Sequence, residues 1–89
     1  MRFARAFGSE GHAPGQFKYP WGLAAVRGLI VVSEHGGTCV QVLTPKGVPL
    51  QVLKLGTGLR GLCADEQRNR VWVTNVYEHR VLALTLKES

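Results

Sequence analysis

Apolar residues along this chain fall in short runs rich in Val and Leu, and Gly, Pro, Asn and Ser separate the runs. No stretch keeps the three-to-four spacing of a helical stripe. Short runs bounded by turn residues predict strands. The pattern places them near 23–26, 29–33, 39–44, 50–55, 60–64, 71–74 and 80–86, all antiparallel, with no helix longer than one turn. Phe3 to Phe7 is a further candidate strand, and Gly8 to Trp21 reads as a loop. Arg27-Gly28 and Pro45-Lys46-Gly47 are tight-turn signals, because proline presets φ and glycine tolerates positive φ.

The pattern also repeats. Gly22-Leu23-Ala24-Ala25 is answered 39 residues later by Gly61-Leu62-Cys63-Ala64. Val32-Ser33-Glu34 and Val40-Gln41-Val42-Leu43 are answered 41 residues later by Val73-Thr74-Asn75 and Val81-Leu82-Ala83-Leu84. The longer hairpin Asp65 to Arg70, set against Val26-Arg27-Gly28, accounts for the change of offset. A strand-rich period of roughly 40 residues points to propeller blades or a solenoid, and four strands per period make a blade. The expected architecture is all-β, about two four-stranded antiparallel blades of an incomplete ring. Residues 1–8 would be the outer strand of a preceding blade, 9–56 the first repeat and 57–89 a second repeat without its outer strand. Two such blades would expose two apolar faces, one at each end. Trp72, between Val71 and Val73, reads as packing core.

Composition narrows the classes. Hydrophobic content of 45% is too high for a disordered chain. The net charge of +5 suggests nucleic acid at first sight, but Lys and Arg are scattered from Arg2 to Lys87, whereas a footprint needs clustering. Cys39 and Cys63 make no disulfide framework and read as buried free thiols. The N-terminal residues show no apolar signal region, and apolar runs such as Leu29 to Val32 are too short to span a bilayer. A soluble cytoplasmic protein without a membrane partner is the expectation.

Phe7-Gly8-Ser9-Glu10-Gly11, Pro14-Gly15-Gln16-Phe17 and Pro20-Trp21-Gly22-Leu23-Ala24, then Leu29 to His35 and Val40 to Leu43, form a connected pattern. Over residues 7 to 47, and more weakly over 59 to 86, that pattern resembles the NHL repeat family. The acidic residue that usually ends the second strand of this repeat is Glu34 here and Asn75 in the next repeat. The basic residue that usually begins the third strand is Cys39 here and Arg80 in the next repeat. The resemblance implies an NHL-type β-propeller. Family members include ubiquitin-ligase and translational-repressor proteins that bind RNA or protein, and peptide-amidating lyases.

In this phasing one rim carries the loops Gly8 to Trp21, Ser33 to Thr38, Gly56 to Arg60 and Thr74 to His79. Lys18, Tyr19, Arg60, Tyr77 and His79 are the candidate binding residues, with Trp21 beside them. Rings can stack on bases while cations neutralise phosphates; alternatively Tyr19 and Trp21 pack under the long loop. His12, His35 and His79 share these loops without the tight spacing of zinc ligands. No nucleophile elbow and no phosphate-cradling glycine loop is present. The expected role is therefore a non-catalytic module, without cofactor or metal, that binds a protein. Single-stranded RNA binding through the rim is the alternative. A lyase fragment, or a truncated product without independent function, is the third reading. Self-association to complete the ring is expected of the isolated chain.

Overall fold

The computed structural model describes residues 6–34, 39–56 and 58–86. Within them lie two antiparallel sheets. The first has the order β1 (Pro20–Val26), β2 (Leu29–Glu34), β3 (Cys39–Leu43) and β4 (Pro49–Lys54). The second has the order β5 (Leu59–Asp65), β6 (Arg70–Asn75) and β7 (Arg80–Thr85). Each expected strand from 23 to 86 is present within a few residues. The helical segments among the described residues are single 3-10 turns, Glu66–Arg68 and Val76–Glu78. No helix among the described residues is long and apolar enough to cross a membrane. Ala6 and Phe7 have no strand, so the expected strand Phe3 to Phe7 is not formed at its end, and its first three residues lie outside the described residues. His35 also lies outside them.

The internal repeat holds at the level of register. Leu23 pairs with Val32, and Leu62 pairs with Val73. Val32 pairs with Gln41, and Val73 pairs with Leu82. Both first strands carry a bulge at their start, between Pro20 and Gly22 and between Leu59 and Leu62. Each bulge frees one glycine amide, and a hydroxyl from the next strand accepts it. Gly22 N–H donates to Ser33 Oγ at 3.0 Å, and Gly61 N–H donates to Thr74 Oγ1 at 2.8 Å. The first hairpin closes through Arg27 and Gly28, with φ of 47° and 79°. Two successive positive φ values match the right-handed twist of a two-residue hairpin.

The sheets pack on each other where β1 and β2 lie against β5. Ala24, Val26, Val31, Val40 and Val42 of the first sheet meet Leu59, Val71, Val73 and the chain at Leu86 in one core. Gly22 sits so close to the Arg60 carbonyl that a methyl group would lie 2.2 Å from the oxygen. The Ser33 hydroxyl donates to that same carbonyl at 2.5 Å, tying the sheets together. At the other end Arg27 N–H and Nε–H donate to Glu66 Oε1 and to its carbonyl, both at 3.2 Å.

One expectation is overturned here. The outer face of the first sheet is not open, because residues 6–18 run back across it. Val32, Glu34, Gln41 and Leu43 are buried under this loop. A buried loop needs partners for its backbone polar groups, and two side chains supply them. Gln41 Oε1 accepts Gly15 N–H at 2.9 Å while its Nε2 donates to the Gln16 carbonyl at 2.6 Å. Glu34 Oε1 accepts Lys18 N–H at 2.7 Å. The residues in the same places of the second repeat are Leu82 and Asn75, and among the described residues no loop crosses there. Phe17 folds under Gly8, and Phe7 packs on the Gly47 turn, where no Cβ would fit.

Candidate functional site

The rim is built by the strand starts. Because Gly22 stands against Arg60, β1 and β5 run side by side in the same direction. The β1 and β5 starts, the β2 and β6 ends and the β7 start therefore share one end of the molecule. Lys18, Tyr19, Arg60, Tyr77 and His79 are all at that end. Tyr19 and Trp21 are each 60% exposed, so the alternative that they pack under the loop does not hold. The Arg60 guanidinium lies 4.8 Å from the centre of the Trp21 ring, within cation–π range. The Lys18 ammonium lies 5.9 Å from the Tyr19 ring and 3.5 Å from Glu10 Oε2. Tyr77 covers Gly58, whose φ of 74° admits no ordinary side chain. His79 closes the β6–β7 connection in the left-handed region, at φ 53°. The rim thus joins Arg60 to Trp21 and Lys18 to Tyr19.

Its charge is partly compensated within the rim. Glu10 pairs with Lys18, and Glu78 pairs with Arg80 at 2.6 Å. Among the described residues no acid–base pair joins second and third strands in either repeat, as the substitutions Cys39 and Asn75 lead one to expect. Glu34 receives the Cys39 thiol instead, and Arg80 turns to Glu78. Among the described residues no group of three His, Cys, Asp or Glu converges as a metal site.

Both cysteines depart from the expected buried thiols: Cys39 is half-buried and Cys63 exposed. Burial first, and then the hydrogen bond to Glu34, pushes the Cys39 thiol up to about 12. A folded-state pKa above the ordinary value of 9.0 means that the folded chain holds its proton longer. The resulting stability is complete below that ordinary value and is lost as pH rises from it toward the folded-state value. Thiolate is the reacting form. Iodoacetamide near neutral pH should modify Cys63 readily and Cys39 far more slowly. Equal rates in the folded chain would show that Glu34 and burial do not hold the Cys39 proton.

A second surface lies on the outer face of the second sheet. Gly61, Cys63, Trp72, Thr74 and Val81 line a shallow groove of about 220 Å³ there, with Leu62 and Val73 at its floor. Trp72 is 39% exposed and Val81 61%. Trp72 is therefore not packing core as its flanking valines suggested. Its face is open because no sheet among the described residues covers it. Gly61, Cys63, Trp72, Thr74, Val81 and Ala83 occupy the places that Gly22, Ala24, Val31, Ser33, Val40 and Val42 hold in the first sheet. There, every one of those positions lies against the second sheet, and all except Gly22 are buried. Sequence reasoning expected an open apolar face at each end but named no binding residue on this one. The signal was present in the repeat, which puts Trp72 where the first sheet has Val31.

In comparisons with known proteins, no family model matches this chain and no curated protein matches it significantly.

Proposed function

We propose that the chain is a non-catalytic interaction module, about two blades of an NHL-type β-propeller, that binds a protein partner through the open face of its second sheet. The observation that carries this reading is the Trp72–Val81 groove. It is an apolar surface whose counterpart one repeat earlier is fully packed. An exposed tryptophan beside a groove is the kind of anchor that dominates the energetics of protein interfaces. The compensated rim argues in the same direction, since nucleic-acid binding rests on uncompensated cations. A photoreactive group placed at Val81 should give a discrete protein adduct in cell extract, and one placed at Leu50, also exposed, should not. Equal labelling from both positions would refute the open face as the binding surface.

The same face makes the isolated chain self-associate when no partner is present. Light scattering should show particles larger than one chain, and Val81→Glu should return them toward monomer. A parent that is monomeric at all concentrations would show that the face is tolerated by water.

Single-stranded RNA binding is the second reading, favoured by the Trp21–Arg60 stack and the exposure of Tyr19 and Tyr77 on one rim. Under it, the Arg60→Ala, Tyr77→Ala pair weakens binding and lowers its salt dependence. No binding by the parent at low salt would end that reading.

A further inference from the structure

The two sheets differ by one strand. In the first, β4 pairs along the outer edge of β3, with Cys39 opposite Lys54, Val40 opposite Leu53, Gln41 opposite Val52 and Val42 opposite Gln51. In the second, β7 stands where β3 does, and among the described residues no strand lies beyond it. The other edges are blunted. β1 starts with a proline and a bulge, β5 starts with a bulge, and β4 begins at Pro49, bulges at Leu50 and ends at Lys54. Such devices keep strand edges from recruiting other chains. β7 has none of them. It pairs with β6 over six consecutive residues without a register shift. It contains no proline, and its one charged residue is Arg80, at its start. Its far end is held in place, since Leu86 N–H donates to the Asn69 carbonyl at 2.9 Å and the Asn69 amide donates back to the Leu86 carbonyl. A straight, pinned, undefended edge is a template for strand addition.

We propose that the outer edge of β7 accepts an extended segment of a protein partner, which adds antiparallel as a fourth strand in the register that β4 takes on β3. This rests on the protein-binding reading above and specifies how the partner is held. The register fixes the chemistry of the segment. Its residue opposite Val81 falls on the open face beside Trp72 and is apolar, as Leu53 is opposite Val40. The residue opposite Leu82 faces the first sheet and is apolar, as Val52 is opposite Gln41. The residue opposite Arg80 is acidic. In the first sheet Lys54 occupies that place opposite a neutral cysteine, but here it would meet an arginine. A carboxylate there also complements the chain's net charge of +5.

The probe is a synthetic peptide with the sequence of Val48–Leu55 carrying Lys54→Glu, added to the isotopically labelled 89-residue chain. Bound, it should slow hydrogen exchange at alternate β7 amides by about tenfold or more. The peptide without Lys54→Glu should bind about two- to fivefold more weakly, the range of a cross-strand charge pair. A version methylated at the amides that face β7 should not bind. No slowing of β7 exchange at saturating peptide, or equal binding by the methylated peptide, overturns strand addition. If the peptide shifts Trp72 fluorescence while β7 exchange stays unchanged, the open face still binds and only the strand-addition step fails. Absence of any binding also overturns the proposal, while the crosslinking at Val81 continues to test the face by itself.

Discussion

Gly22→Ala should destabilise the fold by about 3 kcal/mol, the upper part of the range for overpacking a tight contact. The added methyl would stand 2.2 Å from the Arg60 carbonyl oxygen and 2.9 Å from Ser33 Oγ. The first obstacle is backbone, and Ser33 itself bonds to it, so neither neighbour can swing away. Relief requires the two sheets to separate at the rim. Gly61→Ala is the matched control. Its methyl would meet only the Thr74 side chain, at 3.3 Å, and the Gly61 backbone is not in the left-handed region. That variant should be neutral or gain up to about 1 kcal/mol, because alanine restricts the unfolded chain. Chemical denaturation of both variants beside the parent reads the difference. Equal stabilities would show that β1 and β5 do not meet as described.

Gln41→Leu gives the second large effect, and its sign is unusual for replacing a buried amide with a hydrophobe. Gln41 is 2% exposed, and its amide bonds loop backbone at both ends while its Nε2 also donates to Glu34 Oε2 at 3.3 Å. Leucine would leave Gly15 N–H and the Gln16 carbonyl without their protein partner. Each such loss costs about 1–3 kcal/mol. The expected outcome is a loss of about 2–6 kcal/mol by that reckoning, together with faster proteolysis in residues 6–18. The reciprocal Leu82→Gln should also destabilise, since the amide would face the core without a loop to bond. If Gln41→Leu were neutral, the loop would not depend on the sheet beneath it.

These two positions show what the sequence reveals and where it stops. The strand runs and turns predicted the seven strands between 23 and 86, and the 39–41 offset predicted which strands of the two sheets correspond. That information is local: it lies in alternation and in Gly and Pro punctuation. Which faces meet is not local. Val71, Trp72 and Val73 are all apolar, so alternation vanishes and nothing marks Trp72 as the outward residue. The covering of the first sheet by residues 6–18 was missed for a related reason. A glutamine within Val40-Gln41-Val42 reads as a break in an apolar strand. Only the loop passing over it explains the amide. The rim residues share one end because strand direction alternates, whereas the stacking of Arg60 on Trp21 depends on how the two sheets meet.

The loop over the first sheet has a further effect on how copies can combine. Identical units that join back to front extend without limit unless the geometry closes them into a ring. This chain has a sealed side and an open side. Two copies seated open face to open face bury both apolar surfaces and leave only their sealed sides outward, so association in that mode halts at two. Growth into a fibre through the sheets would first require residues 6–18 to peel away from Gln41 and Glu34. The two side chains that look like blemishes in an apolar sheet act as a stop on polymerisation.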